Sequence, residues 1–195
     1  SSTSRGLGDV YKRQDSYQGT TAGMSGGYTQ GNLAVIPESY ALDFSRFCQR
    51  NPKSCPIVGV SDTGNPLMFT LGQNIDIRTD IPSYNVYRNG SLDSAIPNIK
   101  NLWNTDSVAF VIGCSFSFEE ALTQAGVPLR HQELGRIVPM YETNINNIKS
   151  GPFGGNMIVS MRPMSVADSI RASAITARFP HTHGMPVHIL SLIHI

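Results

Sequence analysis

The chain has 195 residues, and its 15 Lys and Arg side chains nearly balance its 14 Asp and Glu side chains, which gives a net charge of +1. This balance argues against a basic surface for nucleic acid or for an acidic membrane, and no apolar run reaches the length of a membrane-spanning helix. The chain has 3 cysteines, an odd number that, without a secretory signal, favours free thiols in a reducing compartment. We therefore expect a cytoplasmic protein of one domain or two small subdomains.

The two ends of the chain are related in an unusual way. Residues 9–14 can be encoded by a DNA string whose reverse complement encodes residues 190–195. Two peptides that are antisense to each other resemble a translated sequencing adapter rather than a product of selection. We therefore expect residues 1–14 and 190–195 to be adapter-derived and non-native, and residues 15–189 to be a metagenomic fragment.

The first half of the native segment predicts loops, strands and one long helix. Residues 19–27 are glycine-rich, which fits either a tightly turned entry segment or a close backbone approach to a ligand. Apolar residues predict a strand at 32–36, and their helical spacing predicts a helix at 39–50. Further strands are predicted at 56–60 and in the second half of 76–90, where Asn-Gly indicates a hairpin turn.

The most informative stretch is residues 108–120, an apolar run that stops at a glycine and restarts as an amphipathic segment. It predicts a buried strand, a tight turn and the start of a helix, where unpaired backbone N–H groups can hold an anion. Ser117 and Glu120 have the spacing of a capping box. Glu119 favours the positive end of the helix dipole, and a functional role for one of the two carboxylates stays open.

The last third of the native segment predicts a polar loop, a strand and a capped helix. The loop is placed at 136–144 and the strand at 157–161. Ser165-Val166-Ala167-Asp168 is predicted to cap a helix that runs to about Arg178, with Ile170, Ala174 and Ala177 on its buried side.

Three histidines close the native segment, namely His181, His183 and His188. A metal site is the less favoured interpretation, because no acidic or cysteine ligand accompanies them locally. Acid–base work or substrate hydrogen bonding is favoured instead, and a structural role stays open for His181.

A set of separated motifs occurs in order along the chain. It includes Phe47-Cys48-Gln49-Arg50-Asn51-Pro52-Lys53, Thr79-Asp80-Ile81-Pro82, Val159-Ser160-Met161-Arg162-Pro163 and His183-Gly184-Met185-Pro186-Val187-His188-Ile189. Together with the strand–turn–helix stretch, these motifs resemble the D-glutamate cyclase family, whose bacterial members are usually labelled hydro-lyases. The resemblance covers nearly all of residues 15–189.

This resemblance implies a fold and an activity. The expected fold class is α/β with mixed α+β character: mixed sheets with flanking helices, in two intertwined subdomains, incomplete at the C-terminus because the family continues beyond Ile189. The expected activity is that of a carbon–oxygen lyase of amino-acid metabolism, which interconverts D-glutamate and 5-oxo-D-proline plus water. We expect no cofactor and no metal.

The chemistry of this reaction suggests roles for particular residues. The backbone N–H groups of Gly113, Cys114 and Ser115 are assigned to a substrate carboxylate or to the oxyanion. Arg162, just past a strand end, is assigned to a substrate carboxylate. Asn144 is expected to orient the substrate.

The acid–base roles are assigned in pairs. Glu119 or His183 is expected to act as the base, and His188 or Tyr141 as the acid. Arg88 is ambiguous: it fits either a surface ion pair or a guanidinium group for an acidic substrate.

Three other functions stay open. A hydrolase with Cys114 or Ser115 as nucleophile fits the strand–turn–helix, although the stretch lacks the second glycine of a nucleophile elbow. A non-catalytic module that binds small acids and a lyase acting on another acid are the remaining alternatives. The expected partner is a small acidic molecule rather than nucleic acid or membrane, and homo-oligomerisation is left open.

Overall fold

The structure, a computed structural model, describes residues 19–190. Helices and several small sheets both occur along this part of the chain, which confirms the predicted mixed α/β class. The strands are β1 (Gly31–Pro37), β2 (Ile57–Val60), β3 (Tyr84–Arg88), β4 (Ser91–Ile96), β5 (Ser107–Gly113), β6 (Met140–Asn146) and β7 (Asn156–Ser160). The helices are α1 (Glu38–Arg50), α2 (Phe116–Gln124), α3 (Arg130–Glu133) and α4 (Val166–Thr176), followed by a 3₁₀ turn (Pro180–Thr182). The predicted adapter-derived segments, apart from Leu190, lie outside the described residues, so their origin stays a prediction.

The chain divides into two compact units that interleave along the sequence. The first contains Leu33–Ala41 and Val58–Val111, and the second contains Ala22–Asn32, Leu42–Ile57 and the chain from Ile112 onwards. This agrees with the expectation of two intertwined subdomains.

The first unit is built around β5, whose side chains are almost all buried. It is the central strand of a three-stranded sheet with the order β1–β5–β2. One side of this sheet forms an apolar cluster in which Ala109 and Val111 pack with Met68 and Ile77. An apolar run such as Val-Ala-Phe-Val-Ile is expected where a strand is covered on both faces.

The β3–β4 hairpin also belongs to the first unit. The two strands pair antiparallel, with Arg88 opposite Ser91. Asn89 and Gly90 both have positive φ angles, of 50° and 78°, which the Asn-Gly pair tolerates and the tight turn requires. The predicted hairpin turn is therefore confirmed.

The second unit has its apolar cluster between α2 and α4. Phe118 and Leu122 of α2 pack with Val127, Leu129 and Ala172. The Ser165 hydroxyl accepts a hydrogen bond from the Asp168 N–H and caps α4, as predicted. The prediction of the buried side of α4 is wrong: Ile170 is 65% exposed, and Ala174 and Ala177 are exposed too. Packing against α2 turns Ala172 inwards instead.

A second correction concerns the predicted polar loop at 136–144. Met140–Asn146 form the strand β6, which pairs antiparallel with β7, so that Tyr141 lies opposite Val159. The polar side chains of β6 are mostly exposed, and a strand that is not half-buried lacks the apolar alternation by which strands are found in sequences.

Within residues 19–190, no helix combines the length and the apolar character needed to cross a bilayer.

Candidate functional site

The turn between β5 and α2 forms one side of the site. The N–H of Gly113 donates to the carbonyl of Pro56 at 2.8 Å, and the N–H of Cys114 donates to the carbonyl of Gln30, also at 2.8 Å. Two of the three amides predicted to bind an anion therefore already have protein acceptors. Ser115 is the N-cap residue of α2, and its side chain makes no capping bond. Of the three predicted residues, Ser115 is therefore the one that can still donate a hydrogen bond to a ligand.

The predicted capping box is wrong. Ser117 lies inside α2, where its hydroxyl accepts from the N–H of Gln30 at 2.7 Å and faces the Gln30 carbonyl at 3.3 Å. The Glu120 carboxylate instead accepts from Gln124 at 3.1 Å. Its oxygens also lie where a Cβ on Gly26 would stand, so the glycine-rich segment approaches Glu120 closely. The hydroxyl of Ser117 thus fixes a tertiary contact rather than a helix start.

Glu119 and Arg162 form the centre of the site. Arg162 Nη2 lies 2.5 Å from Glu119 Oε1, and only 10% and 4% of the two side chains are exposed. Charge-assisted hydrogen bonds of this length are among the stronger contacts in proteins. Because both charges are taken out of water, each depends on the other for compensation.

The Arg162 side chain is held by contacts with residues of β7 and of the start of α2. Arg162 lies two residues after the end of β7, and its Nη1 donates to the Ser160 hydroxyl at 2.9 Å. Nη2 also donates to the Ser115 hydroxyl at 3.2 Å. The guanidinium carbon lies 5.2 Å from the centre of the Phe118 ring, within reach of a cation–π contact. Nε is buried and has no hydrogen-bond partner among the described residues.

Two side chains at α3 complete the surroundings of Glu119, and the sequence did not single out either of them. Gln132 Nε2 donates to Glu119 Oε2 at 3.0 Å. His131, 7% exposed, brings Nε2 within 3.0 Å of Glu119 Oε1, but without the alignment of a hydrogen bond, so Nε2 has no hydrogen-bond partner among the described residues. The signal that marks His131 is its burial on a four-residue helix. Burial of this kind cannot be read from the sequence.

His183 is held by the backbone. Its Nδ1 lies 2.9 Å from the carbonyl of Lys53, and a second backbone hydrogen bond links it to Gly113. Burial lowers the pKa of the imidazole, and the charges of Lys53 and Arg162 act in the same direction. His183 has a φ of 80°, which is uncommon for a residue other than glycine.

The approach of this segment depends on a glycine. A Cβ at position 113 would overlap the carbonyl oxygen of His181. Only glycine therefore lets the His181–Gly184 backbone pass so close to the end of β5.

The turn after α1 contains Lys53 and Pro56, whose carbonyls contact His183 Nδ1 and the Gly113 N–H. It is closed by Asn51, which is 7% exposed. The Asn51 side-chain amide donates to the carbonyls of Phe47 at 2.7 Å and Ile148 at 2.9 Å, and its oxygen accepts from the Ile148 N–H at 2.8 Å. No local pattern indicates the contact of Asn51 with Ile148, because the two residues lie 97 positions apart in the chain.

The remaining predicted site residues lie at more open positions. Tyr141 and Asn144 are on β6 with exposed side chains, and His188 is exposed near the end of the described chain. Arg88 belongs to the first unit, where it pairs with Asp93 at 3.7 Å. Its surface ion-pair interpretation therefore fits the structure.

The Cys114 thiol faces the same site. Burial is the largest effect and raises its pKa, and the Glu119 carboxylate acts in the same direction, while the Phe116 N–H, Arg162 and Asn32 act in the opposite direction. Neither Cys114 nor Ser115 has a histidine as a hydrogen-bond partner in the described part of the chain. A nucleophile that lacks a partnered base is poorly activated.

Within residues 19–190, no group of three or more His, Cys, Asp or Glu side chains is arranged to hold a metal ion.

The fold and the site together define a mixed α/β protein with a buried carboxylate–guanidinium pair at the junction of a strand and a helix. The model of the D-glutamate cyclase family matches residues 108–192, which include this junction. A relative from Burkholderia multivorans named "Putative hydro-lyase" is 54% identical over 177 residues, covering 91% of this chain and 68% of its own length. Relatives of the same kind from Verminephrobacter eiseniae and Ruegeria pomeroyi are 56% and 53% identical, with 87% and 90% of this chain and 62% and 64% of their own lengths covered. The chain belongs to the D-glutamate cyclase family of hydro-lyases.

Proposed function

We propose that this protein is a hydro-lyase that interconverts D-glutamate and 5-oxo-D-proline plus water. Membership of the family supports the reaction class. The observation that carries the proposal is the Arg162 guanidinium, which is nine-tenths buried beside Glu119 and has an Nε–H with no partner among the described residues.

Arg162 supplies the substrate's anchor in this proposal. An unpaired N–H in a buried position costs free energy, about 1–3 kcal/mol. A substrate carboxylate that accepts a hydrogen bond from Nε removes this cost. It is then the second anion beside the guanidinium, whose Nη2 already donates to Glu119. The Ser115 hydroxyl, which Nη2 also contacts, lies where it can share that carboxylate.

Glu119 is the proposed base. The substrate ammonium must lose a proton before its nitrogen can attack the γ-carboxyl carbon, and a carboxylate in hydrogen-bond reach is suited to accept it. The C–N bond then forms and one C–O bond breaks, so that the oxygen leaves as water. Holding the substrate curled against the Arg162–Glu119 pair supplies much of the rate enhancement.

The protons balance within the reaction. An ammonium and a carboxylate give an amide N–H, a carbonyl and one water, so the two protons that the nitrogen loses are the two that the departing oxygen gains. Tyr141 or His188 would deliver a proton to that oxygen.

The proposal is tested by incubating the purified chain with D-glutamate, L-glutamate and a panel of small hydroxy and amino acids, with the Burkholderia multivorans relative as a parallel sample. Chromatography follows the formation of 5-oxoproline, and calorimetry follows binding. We expect D-glutamate to be converted and the Arg162→Lys variant to show a raised KM, because lysine cannot reproduce the planar guanidinium. Binding without conversion in both proteins would indicate a binding module, and conversion of another acid alone would reassign the substrate.

A further inference from the structure

We propose that His131 is a proton-relay residue that works through Glu119 and allows one carboxylate to collect both protons released by the substrate nitrogen. This inference rests on the proposed function for its chemistry, while the contact on which it depends is independent of it. His131 Nε2 and Glu119 Oε1 lie 3.0 Å apart, and both side chains are less than a tenth exposed.

The proposed reaction needs more proton capacity than one carboxylate has. A single carboxylate holds one proton at a time, whereas lactam formation moves two protons from nitrogen to oxygen. If Glu119 passes its first proton to Nε2 of His131, the carboxylate is free to accept the second. The step is balanced, since a carboxylic acid and a neutral imidazole become a carboxylate and an imidazolium, and the reverse transfer makes the stored proton available again for the departing oxygen, directly or through the acid Tyr141 or His188.

The transfer also changes the charge of the site. After it, the Glu119 carboxylate lies between two cations, the Arg162 guanidinium at 2.5 Å and the His131 imidazolium at 3.0 Å. Until the second proton arrives, the buried site carries a carboxylate with two neighbouring cations rather than a neutral acid beside an uncompensated guanidinium. Burial strengthens this attraction relative to water.

The other groups around the site leave Glu119 as the ionisable neighbour of His131 Nε2, at 3.0 Å. Gln132 occupies Glu119 Oε2 from α3, and Arg162 approaches from the end of β7. Arg130 and Glu133, the charged neighbours of His131 on α3, pair with each other at 3.0 Å on the exposed side. The Cys114 thiol, in the turn before α2, is kept protonated because burial raises its pKa. Nε2 has no formed hydrogen bond among the described residues, and the ionisable group within reach of it is Glu119, whose Oε1 at 3.0 Å becomes a proton partner once the two side chains turn into alignment.

The experiment compares His131→Gln with the wild-type chain and with His181→Gln, whose side chain is exposed. Glutamine can place a polar atom near the position of Nε2 but cannot carry a proton. For whichever acid the wild-type chain converts, we expect kcat of the His131→Gln variant to fall about 100-fold with KM changed less than about twofold. We also expect its pH–rate profile to lose one limb and added imidazole to restore part of the rate in His131→Ala, and we expect His181→Gln to match the wild type.

A second readout does not require turnover. The ¹⁵N shifts of the His131 ring are measured in wild type and in Glu119→Gln, and we expect Nε2 to shift because its proton-sharing partner is gone. An unchanged Nε2 shift, or a His131→Gln variant with wild-type kcat, would overturn the relay. If D-glutamate is not converted but the Nε2 shift responds, the proposed function fails while the His131–Glu119 pair stands.

Discussion

Arg162 and Glu119 lie 43 positions apart in the chain, yet their side chains meet at 2.5 Å in a nearly dry environment. The pair joins the start of α2 to the end of β7 within the second unit. It also places a base candidate and an anion-binding group side by side, as cyclisation of an amino diacid requires.

The first prediction concerns the stability of this pair. Glu119→Ala leaves the guanidinium of Arg162 buried without an anion, so we expect the free energy of unfolding to fall by about 3–5 kcal/mol. Urea denaturation followed by circular dichroism measures the change.

The exposed pair of Arg130 and Glu133, also 3.0 Å apart at the surface, is the matched control. Glu133→Ala is expected to change stability by less than about 1 kcal/mol. Equal losses in Glu119→Ala and Glu133→Ala would show that the buried pair is not a structural centre.

The second prediction concerns pH. Burial lowers the pKa of His183 in the folded chain, so the unfolded chain binds the proton more readily near the ordinary value of about 6.5. The contribution of His183 to stability is therefore present above that value and is lost as pH falls through the lowered folded pKa.

His183→Asn tests this dependence, because asparagine tolerates a positive φ and can still donate to the Lys53 carbonyl. We expect the loss of stability between neutral and mildly acidic pH to become smaller in this variant, measured as the denaturation midpoint. The exposed His188→Asn change should leave the pH dependence as it is, and an identical response in the two variants would remove His183 as its source.

The third prediction concerns Gly113. An alanine Cβ would overlap the backbone carbonyl of His181, and backbone cannot move aside as a flexible side chain can. We expect Gly113→Ala to destabilise the chain by about 1–3 kcal/mol.

Gly154→Ala is the control here, because its Cβ would meet only the flexible side chain of Lys149, at 2.9 Å. The melting temperatures of both variants are compared with that of the wild type, and we expect a clear decrease only for Gly113→Ala. If Gly113→Ala melts with the wild type, the close approach of the His181 carbonyl is not a constraint.

The fourth prediction concerns the Cys114 thiol, whose pKa is raised by burial. Since the thiolate is the reactive form, we expect iodoacetamide to alkylate Cys114 at least about tenfold more slowly at neutral pH than an unstructured cysteine peptide. The rate should rise with pH and after unfolding in urea, as measured by mass spectrometry. Faster alkylation than in the peptide would revive the hydrolase alternative with Cys114 as nucleophile.

The parts of the fold that depend on local sequence were predictable. The apolar run of β5, the Asn-Gly turn after β3 and the Ser165 cap of α4 each carry their cause within a few residues. By contrast, the Ser117 hydroxyl has the spacing of a cap but bonds to Gln30, 87 positions away. A local pattern cannot show that a distant partner competes for the same hydroxyl.

The sequence allowed several residues of the site to be predicted, but it did not show which of them contact one another. Glu119, Ser115 and Arg162 were each expected to contribute, and the structure brings the three together. Their mutual pairing depends on how α2 and β7 pack, which no spacing in the sequence encodes. His131 was missed because its burial against Glu119 is also a tertiary property.

The central claim is that the Glu119–Arg162 site cyclises D-glutamate. The most direct measurement is the approach to equilibrium from both sides, with D-glutamate and with 5-oxo-D-proline as starting material, followed by proton NMR in wild type and in Glu119→Gln. We predict that wild type reaches the same ratio of the two compounds from either side, and that Glu119→Gln, still folded and still binding the acid, slows both directions by about 100-fold or more. Equal rates in the folded variant and the wild type, in both directions, would contradict the claim.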